Sequence, residues 1–384
     1  MIYLDYSATT PVDSRVLDVM IPYFSASFGN PSSVHRYGQQ AESAIDSARE
    51  TVARVLNCRP DEIVFTSCGS ESDNLAIRGA AYAMREKTGA KWILASKTEH
   101  PAVTKTLLHL EKYDGFLIEW LDVSEQGMIT PQVVSKAICD NTALVSVMYA
   151  NNEIGTINPI KEIADVCKTN NVLFHTDAVQ AAAYLPVDVN ELGVDMMSLG
   201  AHKFYGPKGI GALYVRKGTP LVPYLTGGGQ EFSLRAGTQN VPYIVGFAEA
   251  LKLTYDEREK RVAHVRPLRD KIIGTVLEAI PASRITGDMA ARLPQHASFA
   301  FKDVDGNFLL TLLDSAGFAC SSGSACKTGN PEPSDVMDAI GLSREWGLGS
   351  LRVTLGTDTT SEQVESFLQV LPGLIENARV LNKK

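Results

Sequence analysis

Apolar and amphipathic segments alternate between residues 60 and 216 of the chain. Apolar runs of strand length occur at EIVFT (62–66), WILAS (92–96), FLIEWL (116–121), ALVSVMYA (143–150), VLFHTDA (172–178), DMMSLGA (195–201) and GALYV (211–215). These runs are nearly continuous rather than alternating, which is typical of strands covered by helices on both faces. Amphipathic stretches such as 101–113 and 159–170, with proline at or near the start, predict helices between them. The pattern predicts an α/β fold with a mostly parallel seven-stranded sheet.

The alternation changes after about residue 255. A long charged helical segment at 256–272 is followed by a strand (HASFAF), a cysteine-bearing loop, a second strand (LRVTL) and a final helix. This order predicts a second, smaller α+β domain. We therefore expect a large domain formed by residues 12–255 and a small domain formed by residues 1–11 and 256–384.

Composition and charge narrow the class of protein. Apolar residues make up 45% of the 384 residues, and the net charge of -8 argues against a nucleic-acid-binding protein with a basic surface. No run approaches the roughly 18 apolar residues that span a bilayer, and the N-terminal segment shows no secretory signal. The six cysteines lack CxxC spacing, which favours a reducing compartment. We expect a cytoplasmic protein with no membrane partner and no direct nucleic-acid partner.

Polar residues follow five of the predicted strands. The five exits read SCGSESDN, KTEH, NNEIGT, TDAVQ and GAHKF. Because ligands of an open parallel sheet bind beyond the carboxyl ends of its strands, these residues are expected to share one site. The first exit opens a helix, so its N–H groups and hydroxyls favour a phosphate, although a simple helix cap is the alternative.

The other exits carry groups suited to a flat, charged ring. Asp177 ends a strand and can pair with a protonated ring nitrogen, while Asn152 and Gln180 offer amides. His100 can stack on the ring or move protons, with a polar helix start as the alternative. Lys203, at the end of an apolar strand, is of the type that forms Schiff bases when desolvated. Together these groups predict a site for pyridoxal 5'-phosphate.

Several longer motifs identify a family. They occur in the order YLDYSATTPVD, GNPSSVHRYG, TEH, NNEIGT, HTDAVQ, AHKFYGPKGIGALYVR, GGGQE, RAGTQNVP, SSGSAC, EPSDVMDAIGL and LRVTLG. The chain closely resembles the cysteine desulfurases of the NifS/IscS group, which are fold-type I, class V aminotransferase-like pyridoxal phosphate enzymes. The resemblance implies a homodimer that removes sulfur from L-cysteine, giving L-alanine and an enzyme persulfide. It also implies that the large domain binds the cofactor and that the small domain carries the catalytic-cysteine loop.

The resemblance gives the candidate residues their roles. It implies that Lys203 binds the cofactor covalently and moves the substrate α-proton, with His100 stacking on the ring and assisting. Asp177 is implied to hold the ring nitrogen. The remaining residues that it implies are Gln180 and Asn152 at the ring oxygen or substrate, Gly69, Ser70, Gly200 and His202 at the phosphate, Thr238 at the phosphate of the neighbouring subunit, and Arg352 on the substrate carboxylate.

Cys326 matches the sulfur acceptor of the family. Small and turn-forming residues surround it, and the neighbouring Lys327 favours a thiolate. The alternative is an incidental surface cysteine. We expect no resident metal, with Cys326 at most a transient ligand of a cluster. Two features depart from the family: Gly200 stands where it has a serine, and Cys68 where it usually has a glycine.

Other activities stay as alternatives. Selenocysteine lyase or another class V pyridoxal phosphate enzyme would not need a thiol at Cys326. A non-catalytic protein of the same fold would not need Lys203, His100, Cys326 and Arg352. No G-x-G-x-x-G or P-loop pattern follows any predicted strand, which argues against a nucleotide-binding protein. The expected partner is a protein sulfur acceptor, such as an iron–sulfur scaffold or a thiolation enzyme, and the pathway is iron–sulfur assembly, tRNA thiolation or another sulfur-dependent one.

Overall fold

The structure of the protein, a computed structural model, describes residues 1–322 and 332–382. The strands are β1 (Ile2–Tyr3), β2 (Ile63–Thr66), β3 (Trp92–Ser96), β4 (Leu117–Leu121), β5 (Thr142–Ser146), β6 (Leu173–Asp177), β7 (Met196–Gly200), β8 (Gly211–Val215), β9 (Ser283–Ile285), β10 (His296–Phe301), β11 (Phe318–Ala319) and β12 (Ser350–Thr354). The helices are α1 (Ser14–Met20), α2 (Pro22–Ser25), α3 (Arg36–Leu56), α4 (Gly69–Thr88), α5 (Pro101–Asp114), α6 (Pro131–Ala137), α7 (Ile160–Thr169), α8 (Val189–Leu192), α9 (Val241–Ala279), α10 (Gly306–Ser315), α11 (Asp335–Ala339), α12 (Arg344–Gly347) and α13 (Ser361–Asn382).

The largest sheet among the described residues has seven strands in the order β2-β8-β7-β6-β5-β3-β4. Neighbouring strands from β7 through β4 run parallel, whereas β8 runs antiparallel to both β7 and β2. All seven predicted strands are present, so the prediction of a mostly parallel α/β sheet is confirmed. The strand predicted at 143–150 is shorter than expected, because β5 ends at Ser146.

Helices cover both faces of this sheet, as the continuous apolar runs predict. Every residue of β5, β7 and β8 is buried, whereas the edge strand β4 alternates between more and less exposed positions. Helices α4 and α5 supply the apolar side chains of one face, including Leu75 and Leu107. Helices α3, α7 and α9 supply those of the other, including Val52, Ile163 and Phe247.

The C-terminal part contains two small sheets. Strands β12, β10 and β9 form an antiparallel sheet, and β1 pairs in parallel with β11. The second pairing joins the first residues of the chain to its C-terminal part. Helix α9 is continuous from Val241 to Ala279 and so passes through the expected boundary at 255/256. Among the described residues, no helix is long and apolar enough to cross a membrane.

Candidate active site

A cavity of about 310 Å³ lies at the carboxyl ends of the parallel strands. Most of the residues predicted to form the site line this cavity: Gly69, Ser70, His100, Asn152, Asp177, Gln180, His202, Lys203 and Arg352. They come from different strand exits and from β12 of the small sheet, so the chain brings distant segments together here. The predicted clustering of polar strand exits is therefore present in the fold.

Lys203 lies in a single helical turn, Ala201–Lys203, that directly follows β7. Its Nζ donates hydrogen bonds to the carbonyl oxygens of Ser7, at 2.5 Å, and Ala8, at 2.8 Å. Burial and the positive charge of Arg352 lower its pKa to about 8. A lysine of this kind loses its proton far more readily than an exposed one, and the neutral amine is the nucleophile that attacks a carbonyl.

Asp177 is the last residue of β6 and is almost completely buried. Its Oδ1 accepts a hydrogen bond from the N–H of Val179 at 2.9 Å. Burial raises the pKa of Asp177, while His100 and Lys203 act in the opposite direction. Because burial penalises the carboxylate, a positive charge nearby stabilises it strongly. The position therefore suits a protonated ring nitrogen.

His100 caps the N-terminus of α5 and also faces the cavity. Its Nδ1 accepts a hydrogen bond from the N–H of Ala102 at 3.1 Å, which places the proton of the neutral ring on Nε2. Burial lowers the pKa of His100, so the ring is neutral at physiological pH. His100 can therefore cap the helix through Nδ1 and remain available to the cavity through Nε2.

Gly69 and Ser70 begin α4, whose first N–H groups lack partners within the helix. A Cβ at Gly69 would lie 2.7 Å from Cγ2 of Val179, so the chain packs here as only glycine allows. His202 lies beside them in the cavity, and burial lowers its pKa to about 4, which leaves it neutral. The N-terminal end of α4 is thus a donor-rich cradle of the kind that binds phosphate, with an uncharged histidine beside it.

Gly200 ends β7 below this cradle. A Cβ added to Gly200 would lie 3.4 Å from Val179 Cγ1 and 3.5 Å from the backbone nitrogen of Gly69, which are ordinary contact distances. The glycine is therefore not required by the backbone, which has the extended angles φ -139° and ψ 117°. A side chain at this position would reach the residues of the cradle.

Arg352 belongs to β12 and enters the cavity from the small antiparallel sheet. Its Nη2 lies 2.8 Å from Oδ1 of Asp5, and its Nη1 donates to the carbonyl oxygen of Asn152 at 2.9 Å. Nε of Arg352 is buried without a hydrogen-bond partner among the described residues. Gln180 is held similarly, since its Nε2 donates to the carbonyl oxygen of Ser7 at 2.9 Å.

Four residues near the site were not predicted from the sequence. Asp5 holds Arg352, and Ser7 and Ala8 hold Lys203. The buried side chain of Asp73 also lines the cavity, where the neighbouring Asp177 adds to the effect of burial in raising its pKa. The only signal for the first three is the motif YLDYSATT, and Asp73, one of several charged residues in α4, has no distinctive signal.

Gly200 and Thr238 are not among the residues that line the cavity in this single chain. Thr238 is exposed on the loop before α9. Cys326 and Lys327 lie outside the described residues. Within residues 1–322 and 332–382 no group of three or more His, Cys, Asp or Glu side chains is arranged to hold a metal ion.

The donor set fits pyridoxal 5'-phosphate. A readily deprotonated lysine, a buried carboxylate and a glycine-lined helix N-terminus surround one cavity. These are the groups that the aldehyde, the ring nitrogen and the phosphate of that cofactor require.

Comparisons with known proteins agree with this chemistry. A model of the aminotransferase class-V family matches residues 2–367. The cysteine desulfurase IscS of Dictyoglomus turgidum is 45% identical over 381 residues, which cover 99% of this chain and 96% of the relative. A solved structure described as a NifS-like protein superposes with a TM-score of 0.91 at 36% identity, covering 98% and 99% of the two chains. Another, described as SspA in complex with cysteine, has a TM-score of 0.80 at 36% identity and covers 94% of this chain and 100% of that chain. The chain therefore belongs to the aminotransferase class-V family and, within it, to the pyridoxal-phosphate-dependent cysteine desulfurases.

Proposed function

We propose that this chain transfers the sulfur of L-cysteine to its own Cys326, leaving L-alanine. The observation that carries the proposal is the convergence of Lys203, Asp177, His100 and Arg352 on one cavity. Those side chains are suited to a cofactor aldehyde, a ring nitrogen, a flat ring and a substrate carboxylate, respectively. We do not propose selenocysteine lyase or another class V activity, since no observation in the described chain favours either.

Residues of the large domain would hold the cofactor. Lys203 would attach it covalently, Asp177 would pair with the ring nitrogen, and Gly69, Ser70 and His202 would bind the phosphate. When bound, pyridoxal 5'-phosphate supplies an electron sink for the negative charge that develops at the substrate Cα. Because burial destabilises ionised Asp177, the carboxylate favours a protonated ring nitrogen beside it, which strengthens that sink.

The other side chains orient the substrate and move its protons. Arg352 would bind the carboxylate of L-cysteine through a charge-assisted pair, and this fixes the direction of the Cα–H bond. Lys203, with a pKa of about 8, would accept the α-proton as a neutral amine. His100 carries its proton on Nε2 and would pack against the ring and assist this transfer. Asn152 and Gln180 would contact the substrate or the ring oxygen.

The sulfur transfer itself falls to Cys326. Its thiolate would attack the sulfur of the substrate, and the new S–S bond would leave a persulfide on Cys326. The electron pair of the broken Cβ–S bond would stay with Cβ, which would take up a proton to become the methyl group of L-alanine. The family to which the chain belongs supports this role, and the relative at 45% identity carries the name IscS.

The wider setting is proposed from the same relationship. We propose a homodimer in the cytoplasm in which Thr238 serves the cofactor phosphate of the partner subunit. The persulfide would pass to a protein acceptor for iron–sulfur cluster assembly or for thiolation of tRNA or another biomolecule. Cys326 would be at most a transient cluster ligand. We also propose the domain division of residues 12–255 from residues 1–11 and 256–384.

A cysteine substitution tests the central step. Cys326→Ser should lose alanine formation from L-cysteine by at least about a hundredfold, because no thiolate accepts the sulfur. Cofactor absorption should persist, since the cavity residues are unchanged. Cys139→Ser, which alters an exposed cysteine, is the matched control and should keep full activity. Alanine formation by Cys326→Ser at the rate of this control would contradict the proposal.

A further inference from the structure

An ion pair just outside the cavity joins helix α4 to the loop that follows Gly229. Nε of Arg235 lies 2.8 Å from Oε1 of Glu71, and Nη2 lies 3.3 Å from Oε2. The two side chains are only 20% and 16% exposed. Glu71 is the third residue of α4, directly after Gly69 and Ser70. The ion pair therefore lies at the same helix end as the proposed phosphate cradle.

Glu71 also shapes the turn that leads into this cradle. Its Oε2 accepts a hydrogen bond from the backbone N–H of Ser67 at 2.6 Å. Cys68, between them, makes no side-chain cap to the helix. The hydroxyls of Thr66 and Ser72 donate to the carbonyl oxygen of Cys68, and Glu71 supplies the acceptor for the N–H of Ser67. Although burial acts to raise it, hydrogen bonds from Arg235 and Ser67 leave the pKa of Glu71 below its ordinary value. The residue is thus a carboxylate at neutral pH.

A carboxylate in this place has two opposite effects. It interacts favourably with the positive end of the α4 dipole, but it repels a phosphate dianion bound at the same end. His202 does not offset this repulsion, because its lowered pKa of about 4 keeps it neutral. Arg235 is the cation that contacts Glu71 directly.

We propose that Arg235 is a positioning residue for the cofactor phosphate, acting by neutralising Glu71. The ion pair lets Glu71 accept the hydrogen bond from Ser67 as a carboxylate. Arg235 at the same time compensates the negative charge of Glu71, so that it repels the phosphate dianion less. This proposal rests on the proposed phosphate site at Gly69 and Ser70. It adds to that site a pair of residues that make no contact with the cavity themselves.

Affinities of the cofactor-free full-length protein for two ligands test this role. Pyridoxal 5'-phosphate and pyridoxal share the aldehyde and the ring, but only the first carries phosphate. Arg235→Met should weaken binding of pyridoxal 5'-phosphate about tenfold, since it leaves Glu71 unneutralised, and should leave pyridoxal binding unchanged. Arg235→Lys keeps the positive charge but loses the two-point contact with Glu71, so it should weaken binding of pyridoxal 5'-phosphate less than Arg235→Met does and leave pyridoxal binding unchanged.

A second substitution removes the charge that Arg235 balances. Glu71→Gln keeps an acceptor for the Ser67 N–H, and it should bind pyridoxal 5'-phosphate at least as tightly as wild type. The double variant Arg235→Met/Glu71→Gln should recover most of the affinity lost in Arg235→Met. Lys161→Met breaks an exposed ion pair on α7 and serves as the control for loss of one positive charge.

The outcomes separate the inference from the site on which it rests. Equal weakening of both ligands by Arg235→Met, or no recovery in the double variant, would overturn the charge-balancing role. If wild type binds pyridoxal as tightly as pyridoxal 5'-phosphate, the phosphate site itself is wrong. If wild type prefers the phosphate and Arg235→Met leaves that preference unchanged, the site stands and the role of Arg235 is wrong.

Discussion

Asp5 forms an ion pair with Arg352, and the Oδ1–Nη2 distance is 2.8 Å. Its other carboxylate oxygen accepts a hydrogen bond from the hydroxyl of Ser321 at 2.7 Å. The side chains of Asp5 and Arg352 are only 14% and 10% exposed, so solvent screens the pair weakly. Asp5 therefore fixes the guanidinium that is proposed to receive the substrate carboxylate.

Loss of this ion pair is expected to affect substrate capture. Asp5→Asn should raise KM for L-cysteine about tenfold with a smaller change in kcat, because the guanidinium is held less firmly. Arg352→Ala removes the charge itself and should lower kcat/KM about 30- to 1000-fold, which corresponds to about 2–4 kcal/mol. Steady-state kinetics with L-cysteine measure both.

Cofactor binding provides the control for these two variants. Lys203, Asp177 and the residues of the cradle are unchanged in both variants, so both should still bind the cofactor and show its visible absorption. An unchanged kcat/KM in Arg352→Ala would remove Arg352 from the site. A fall in kcat without any change in KM in Asp5→Asn would show that Asp5 acts on a later step than substrate capture.

The lowered pKa of Lys203 predicts how cofactor uptake depends on pH. Burial and Arg352 lower this pKa to about 8, and Asp177 and Asp5 oppose them. The neutral amine is the reactive form, so the uptake rate should rise with pH up to about 8 and then level off. Stopped-flow absorbance after mixing cofactor-free protein with pyridoxal 5'-phosphate measures the rate. A rise that continues to pH 10, as for an exposed lysine, would contradict this assignment, and Lys203→Ala should show no visible band.

The sequence predicts the sheet well because strands that are buried on both faces appear in it as nearly continuous apolar runs. The runs at β3 and β8 match the structure residue for residue. The apolar run at β5 extends past the end of the strand. Val147–Ala150 stay buried after the strand ends, and an apolar run does not distinguish a buried strand from a buried loop. Likewise, the change of pattern after residue 255 falls inside α9, whose helical geometry does not change there.

Some residues of the site can likewise be predicted from the sequence, and others cannot. Lys203, Asp177 and His100 follow strands, and strand exits of a parallel sheet must meet, so the sequence can place them together. Asp5 was missed because its contact with Arg352 joins positions 347 residues apart, through a pairing that depends on the whole fold. Glu71 and Arg235 were missed for the same reason, since each alone has the appearance of an ordinary surface charge.

A second, more deeply buried ion pair predicts an effect on stability. Arg49 and Glu231 have side-chain exposures of 7% and 1%, and Glu231 also accepts hydrogen bonds from the N–H of Phe65 at 2.8 Å and from Gln239 at 2.7 Å. Arg49→Met leaves a buried carboxylate unpaired and should lower the free energy of unfolding by about 3–5 kcal/mol. Chemical denaturation of the cofactor-loaded protein measures the change.

A double substitution separates charge from packing at this pair. Arg49→Met/Glu231→Gln removes both charges but keeps an oxygen for the Phe65 N–H, so it should be more stable than Arg49→Met alone. If the double variant is less stable than the single one, packing rather than the unpaired charge explains the loss.

Substitution of Gly200 by serine is expected to increase the affinity for the cofactor. A Cβ there meets no atom closer than 3.4 Å and would lie 3.5 Å from the nitrogen of Gly69, so a serine fits beside the cradle. Gly200→Ser adds a hydroxyl donor and should tighten binding of pyridoxal 5'-phosphate about fivefold, as expected for one new hydrogen bond of about 1 kcal/mol. Gly200→Ala adds the carbon without the hydroxyl and should leave the affinity unchanged, while Gly69→Ala should weaken it, because its Cβ would lie 2.7 Å from Val179 Cγ2. Titration of cofactor-free protein compares all three, and equal affinities of the serine and alanine variants at position 200 would show that the hydroxyl does not reach the phosphate.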